Sequence, residues 1–187
     1  MRGKERFVGI SFNELTTINF GVMYGQGPRA LSQQLRIPFE EAKAFIDEYF
    51  EKYPGIREFI DSSKESAREN GYAETLFGRR RPLPEIESGD GRLRSFAERI
   101  AVNMPIQGTA ADMIKIAMID IDRAVREAGL EARMILQVHD ELVFDVPLGE
   151  KDRMTELVRN KMEAAVELDV PLKVEVDSGA DWLEAHG

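Results

Sequence analysis

The amino-acid sequence predicts an α+β fold in which helices dominate and the strands gather towards the end of the chain. Two observations predict the helices: apolar residues repeat at three- and four-residue spacing between residues 39 and 67, and residues 109–128 are rich in apolar side chains. A third predicts strands, since two β-rich runs flank a short charged stretch at residues 139–141. The chain has 187 residues, 43% of them hydrophobic, which is enough for a core without disulfides.

The first fifteen residues show no clear period, and the first strongly periodic segment begins at Pro38. A proline followed closely by two glutamates is typical of a helix start, and the apolar stripe that follows ends before Pro54. A second stripe runs from Ile56 to Asn70-Gly71, which is a typical helix stop. We expect these two helices to pack against each other as an antiparallel pair.

Residues 72–83 predict a small hairpin, because a strand-like run is followed by Phe77-Gly78, which can turn the chain. The returning strand would carry a basic arm made of Arg79, Arg80 and Arg81. Residues 85–91 are loop-like, and Leu93–Val102 is helical. The long helix predicted at Thr109–Ala128 has a centre that is apolar nearly all round, so we expect it to be buried on several sides.

Residues 133–146 predict a second hairpin, in which the charged tip His139-Asp140-Glu141 separates two apolar strands. A last amphipathic helix follows, with its apolar face running from Met154 to Val166. Leu172–Val176 predicts a final strand, and Trp182 lies in a short tail. No repeat or low-complexity tract interrupts this order.

Charge and composition exclude several functions. The chain has 25 Lys and Arg against 34 Asp and Glu, a formal net charge of −9, which argues against coating nucleic acid or anionic lipid through bulk positive charge. The absence of cysteine excludes disulfide scaffolds, thiol catalysis and cysteine-based zinc sites. No apolar run approaches the roughly 18 residues of a membrane span, so we expect a soluble, cytoplasmic protein without a membrane partner.

Six arginines nevertheless cluster between residues 79 and 99. They could bind phosphates through bidentate guanidinium contacts, or they could pair with the acids interspersed among them, and composition favours neither interpretation. The arginines are Arg79, Arg80, Arg81, Arg92, Arg94 and Arg99, and the acids are Glu85, Glu87, Asp90 and Glu98.

The charged tip of the second hairpin is a candidate metal site. An aspartate in a tight turn between buried strands can hold a divalent cation, because the strands fix the carboxylate and the turn exposes it. Glu141 and Asp145 could share a strand face, but they lie too far apart to bind one ion. The hairpin would supply at most one side of a metal site, and the alternative is that Asp140 and Glu141 are ordinary polar turn residues.

Four sequence blocks, in order, resemble those of family A DNA polymerases. They are Thr17–Gly25 (TINFGVMYG), Thr75–Arg81 (TLFGRRR), Arg99–Asp112, which contains NMPIQGTAAD, and Gln137–Glu141 (QVHDE). The resemblance extends from about Thr16 to Trp182 and implies most of a fingers region and part of a palm region. It divides the chain into a divergent segment at residues 1–15, a fingers-like segment at 16–83 and a partial palm-like segment at 84–187.

The resemblance assigns the hairpin tip to catalysis. Asp140 matches an aspartate that binds the catalytic Mg²⁺ ions, and Glu141 matches an accessory acid beside it. Gln137 and His139 match residues near the primer end. The implied reaction is the attack of a primer 3′-hydroxyl on the α-phosphate of a dNTP, assisted by two Mg²⁺ ions.

The resemblance also implies a surface for primer–template DNA. Arg99, Asn103 and Gln107 are four residues apart, which puts them on one face of a helix, where they would reach the minor-groove side of the duplex. Phe20 and Tyr24, also four apart, match residues at the incoming nucleotide and at the templating position. The remaining DNA-binding candidates are Arg79, Arg80 and Arg81.

Two departures from the family pattern bear on activity. In the family an Arg and a Lys lie eight and four residues before the Phe and hold the triphosphate, whereas here those positions are Phe12 and Thr16. The block that carries the first metal-binding aspartate, motif A, is not found upstream of Thr16. We therefore expect very low activity from this chain alone.

The implied function is that of a DNA-directed DNA polymerase of replication and repair, with primer–template DNA, dNTPs and Mg²⁺ as its partners. A second chain that carries motif A would complete the metal site. The alternatives are a non-catalytic DNA-binding fragment of a polymerase and one half of a split polymerase.

Overall fold

The computed structural model describes residues 21–186. Its helices are α1 (Pro28–Leu35), α2 (Phe39–Lys52), α3 (Pro54–Asn70), α4 (Gly91–Asn103), α5 (Thr109–Glu127), α6 (Lys151–Glu163) and α7 (Trp182–His186). Its strands are β1 (Tyr72–Glu74), β2 (Arg80–Pro82), β3 (Arg133–Val138) and β4 (Glu141–Asp145). Three short helical segments complete the order: 3₁₀ turns at Pro84–Glu87 and Leu148–Glu150 and a π-helix at Met104–Gly108. Helices with two antiparallel hairpins confirm the predicted α+β fold.

The chain forms two compact units, one that ends at Ile106 and one that begins at Gln107. This division falls inside the π-helix. The assignment of residues 16–83 to a fingers-like segment and 84–187 to a palm-like segment rests on family regions rather than on compactness, and it stays a prediction.

One apolar cluster of the first unit is built from α1, α2 and the helical residues before them. Leu31 and Ala42 are fully buried in it, together with Val22 and Ile46. Tyr49 packs at its edge, and burial, with a smaller Coulomb contribution from Tyr53, raises the pKa of the Tyr49 phenol. Full burial of a side chain as large as that of Leu31 stabilises the fold by about 1.5–3 kcal/mol.

A second cluster of this unit joins α3, the first hairpin and α4. Ala67 of α3 packs with Ala73 of β1, Leu83 after β2 and Ala97 of α4. Ala67 of α3 therefore lies in a different cluster from the apolar stripe of α2. The predicted antiparallel pairing of these two helices stays a prediction. Periodicity identifies the face that a helix buries, but it does not identify the neighbour that covers that face.

The second unit packs α5 and α6 against the second hairpin. Its core contains Ala117 and Ile121 of α5 and Met154 and Val158 of α6. The expectation that α5 is buried on several sides holds only in part, because Ile114 is buried with Ala117 and Ile121 whereas Ile119 is 59% exposed. The predicted ends of α5 and the apolar face of α6 are confirmed.

The predicted strand at Leu172–Val176 is wrong, because residues 171–179 have no strand assignment. Leu172, Val174 and Val176 are half-buried and alternate with exposed residues, so the two-residue pattern is real. A strand also needs a neighbour that completes its ladder, and among residues 21–186 none pairs with this segment. The Val174 N–H donates instead to Oε1 of Glu163 at 3.1 Å.

Candidate functional site

The predicted catalytic tip is the turn between β3 and β4. Val138 pairs with Glu141, so His139 and Asp140 form a two-residue turn. His139 has a φ of 54°, in the left-handed region that such turns use and that a non-glycine residue enters at a cost. The Gln137 side chain braces the turn, because its Nε2 donates to the backbone oxygen of His139 at 3.0 Å.

Asp140 and Glu141 are adjacent and exposed at this tip. Asp145 lies four residues beyond Glu141 on the same strand face, about 13 Å away at the ordinary strand rise. Within residues 21–186, no three His, Asp or Glu side chains converge closely enough to hold a metal ion. The tip carboxylates therefore fit one side of a Mg²⁺ site, and a complete site needs further ligands.

Arg99 and Asn103 lie one turn apart on α4. Arg99 is exposed, and its guanidinium carbon lies 5.9 Å from the centroid of the Phe96 ring. Oδ1 of Asn103 is buried and accepts no hydrogen bond from the described residues. A buried acceptor without a donor costs about 1–3 kcal/mol, so a donor supplied from outside the described residues would be stabilising there.

Gln107 lies in the π-helix at Met104–Gly108 and is exposed. Pro105 gives the physical reason for the π-helix, because it lacks an N–H for the helical ladder and its ring crowds the carbonyl four residues earlier. A wider turn relieves this clash. The predicted uniform α-helical spacing from Arg99 to Gln107 is therefore wrong beyond Asn103.

The arginines of the first hairpin do not form a single basic arm. Glu74 lies opposite Arg80 across the hairpin, and Arg80 Nε donates to its carboxylate. The Arg80 guanidinium carbon is also 4.5 Å from the centroid of the Tyr72 ring. Arg81, opposite Ala73, lies on the other face of the strand and is exposed. Arg81 is therefore the better candidate of the two for contact with a phosphate.

The alternative interpretation, that the clustered arginines pair with the acids among them, is wrong for Glu98. Its carboxylate accepts from Arg68 of α3 at 2.8 Å, and this hydrogen bond is the main cause of the raised pKa of Arg68. Arg94 Nη1 donates to the backbone oxygen of Ser88 at 3.0 Å, so it braces the start of α4.

Tyr24 directly follows the helical residues 21–23, at the C-terminal end of that helix. The N–H of Gly25 donates to Val22 O at 3.1 Å, and the N–H of Gln26 donates to Gly21 O at 2.8 Å. These are the two bonds of a Schellman motif, and Gly25 takes the left-handed φ of 83° that the motif needs. The half-buried Tyr24 side chain is thereby held at a defined helix end.

The sequence profile of DNA polymerase family A matches residues 13–184. This chain belongs to DNA polymerase family A. It is 51% identical over 168 residues to DNA polymerase I of Streptococcus pneumoniae serotype 4, which is 90% of this chain and 19% of that protein. It is 50% identical over 169 residues to the thermostable DNA polymerase I of Thermus aquaticus, which is 90% of this chain and 20% of that protein.

A solved structure of the POL domain of Pol1 from M. smegmatis, in complex with DNA primer–template and dNTP, matches this polymerase-family chain with a TM-score of 0.91. The two are 43% identical, and the match covers 96% of this chain and 32% of that one. The chain thus spans about a fifth of the length of the curated relatives, at 19% and 20%. No helix among residues 21–186 is long and apolar enough to cross a membrane.

Several features of this family A chain are absent from the sequence predictions. The π-helix had a signal in Pro105, which lies inside a helical stretch. The buried Asn103 oxygen without a donor and the Glu74–Arg80 ion pair had no signal in the sequence, because both depend on side-chain geometry. Phe20, together with Phe12 and Thr16, lies outside the described residues, so its predicted role at the incoming nucleotide stays a prediction.

Proposed function

We propose that this chain is part of a DNA-directed DNA polymerase that extends a primer on a DNA template, in replication and repair. The family match over residues 13–184 carries the proposal, because a match over nearly the whole chain includes the hairpin tip. The rigid, exposed turn at Asp140 supports it, since an exposed carboxylate on a braced hairpin can reach a reacting phosphate.

Asp140 is the proposed metal ligand and catalytic residue, and Glu141 is the accessory acid beside it. Bound Mg²⁺ would activate the primer hydroxyl and stabilise the negative charge that develops on the transferring phosphate. The chain's own contribution is geometric, because the Gln137 bond to His139 fixes the turn that carries Asp140. His139 directly precedes Asp140, and Gln137 is hydrogen-bonded to His139; we propose that both residues contact the primer end.

The proposed contacts with primer–template DNA involve two groups of side chains. Arg99, Asn103 and Gln107 can donate to minor-groove acceptors that all base pairs share, so they sense the shape of the duplex without reading its sequence. Arg81, with Arg79 and Arg80 nearby, would contact phosphates. Binding by a chain of net charge −9 would be weak and strongly sensitive to salt.

The nucleotide site is proposed at Tyr24 and Phe20, whose rings can stack on or gate a base. Phe12 and Thr16 occupy the positions of the cations that hold the triphosphate in the family, and neither can neutralise phosphate. We propose that the 187 residues by themselves bind DNA without extending a primer, and that a segment or second chain with motif A supplies the missing aspartate. A cytoplasmic location fits this role.

Primer extension tests the proposal. The chain is incubated with a DNA primer–template, Mg²⁺ and the four dNTPs, alone and with a polymerase fragment that carries motif A. We expect no extension from the chain alone and extension after the fragment is added, which Asp140→Ala abolishes. Extension by the chain alone would contradict the proposal that these 187 residues do not extend a primer, and extension that survives Asp140→Ala would show that the active site lies elsewhere.

A further inference from the structure

The turn of the first hairpin has an unusual composition. The Gly78 N–H donates to Thr75 O at 3.0 Å, which closes a β-turn whose two central residues are Leu76 and Phe77. Leu76 is 75% exposed and Phe77 is 43% exposed. Central turn positions normally carry Gly, Pro, Asn, Asp or Ser, so two large apolar side chains at this corner call for an explanation.

The turn is too well braced for these side chains to fold back onto the core. Oγ1 of the buried Thr75 accepts from the N–H of Phe77 at 3.3 Å and from the N–H of Arg79 at 3.2 Å. Gly78 adopts a φ of 80°, the left-handed residue of a three-residue hairpin loop. The hairpin therefore presents Leu76 and Phe77 on a rigid support.

The charge around the turn indicates what it contacts. Residues 72–82 contain three arginines and one glutamate, a local charge of +2 in a chain of net charge −9. Glu74 is paired with Arg80, which leaves no acid of this hairpin to repel an anion. Arg81 lies exposed on the opposite face from that pair. An apolar tip beside an exposed arginine is complementary to DNA, whose sugars and bases lie between phosphates.

We propose that Leu76 and Phe77 form an apolar contact with the sugar and base surface of primer–template DNA, while Arg81 binds an adjacent phosphate. This inference rests on the proposed DNA-binding function and adds two uncharged residues to it. The contact carries little sequence information, because every nucleotide presents a sugar and an aromatic face. It positions the hairpin on the primer–template DNA.

Fluorescence anisotropy of a labelled primer–template, measured over a series of salt concentrations, tests the contact. Phe77→Ala should weaken binding by about fivefold or more and leave the salt dependence unchanged, because the lost contact carries no charge. Phe77→Tyr keeps the ring and should bind like the wild type. Arg81→Ala should lower the slope of log affinity against log salt by about one.

Phe39→Ala is the matched control, because Phe39 is 47% exposed, as Phe77 is 43% exposed, and belongs to α2 rather than to the hairpin. It should leave the affinity for DNA unchanged. Circular dichroism melting of each variant confirms that the fold is intact. If the wild type binds and Phe77→Ala binds equally well, the inference is overturned. If the wild type does not bind at low salt, the DNA-binding proposal itself fails.

Discussion

His139 combines a backbone cost with a proposed function. Its φ of 54° lies in the left-handed region, which costs an L-residue about 1–2 kcal/mol, whereas glycine occupies that region freely. Strain of this kind persists where surrounding structure imposes it, and it clusters at functional sites. The two-residue turn between β3 and β4 requires this conformation, and the Gln137 bond to the His139 carbonyl braces the turn.

We predict that His139→Gly raises the free energy of unfolding by about 0.5–1 kcal/mol and weakens binding to primer–template DNA. Stability rises because glycine adopts the left-handed backbone conformation without strain. DNA binding weakens because the imidazole is removed. Urea denaturation and anisotropy measure the two effects on the same protein. A glycine variant that is less stable than the wild type would show that the imidazole, rather than the turn, determines the conformation.

Tyr49 gives a prediction for alkaline pH. Burial, and secondarily Tyr53, raise the pKa of Tyr49 above its usual 10.0, so the folded state favours the neutral phenol. This contribution to stability is complete below the unfolded-state pKa of about 10 and is lost as pH rises through the higher folded-state pKa. The free energy of unfolding should therefore fall less steeply above about pH 10 in Tyr49→Phe than in the wild type. Equal slopes in urea denaturation at several pH values would refute this.

At the scale of single residues, the sequence predicts backbone conformation better than it predicts which side chains pair with each other. Gly71 ends α3, as its position after Asn70 predicts, because the preference for a left-handed C-cap is local. The ion pair between Arg68 and Glu98 does not depend on local sequence, since the two residues lie thirty positions apart. Nothing in the composition distinguishes that partner from the other acids nearby.

At the scale of elements, Glu150 anchors the second hairpin. Its carboxylate accepts from the N–H of Glu131 at 3.0 Å and from the N–H of Ala132 at 3.1 Å, directly before β3. Hydrogen bonds to a charged acceptor contribute about 1.5–3 kcal/mol. The strand that leads to the proposed catalytic tip is thereby tied to the segment before α6.

We predict that Glu150→Ala lowers the free energy of unfolding by about 2 kcal/mol, because two backbone donors lose their partner. Glu156→Ala is the control, since Glu156 is an exposed glutamate on the neighbouring α6. It should change stability by less than about 0.5 kcal/mol. Urea denaturation of the wild type and the two variants measures these changes in the free energy of unfolding. Equal stability of the two variants would exclude the anchoring role of Glu150.

The predicted elements succeed where the signal is local and fail where a partner is needed. The helix α2 begins after Pro38 and the second hairpin turns at His139, as periodicity and turn chemistry predict. Leu172–Val176 has the alternation of a strand, but the described residues contain no strand that pairs with it. The π-helix at Pro105 is a further failure of this kind. The predicted four-residue spacing assumes an uninterrupted set of α-helical hydrogen bonds, which the proline breaks.

At the scale of the whole molecule, net charge alone is a poor guide to function. A charge of −9 argues against nonspecific coating of nucleic acid, yet the chain belongs to a DNA polymerase family. Local features reconcile the two, since the basic hairpin and the Arg99 helix concentrate positive charge. Ile135 is 61% exposed and Leu148 is 93% exposed, and we propose that the remainder of a longer polymerase covers such residues.

A chimera tests the role of Asp140 most directly. Residues 21–184 of this chain replace the matching segment of the Thermus aquaticus DNA polymerase I, whose own residues then supply motif A and the triphosphate-binding cations. We predict that the chimera extends a primer, that Asp140→Ala abolishes extension, and that Asp145→Ala, at the other end of the same hairpin, retains it. Extension that survives Asp140→Ala, or that Asp145→Ala abolishes equally, would contradict the assignment of the catalytic carboxylate to the hairpin tip.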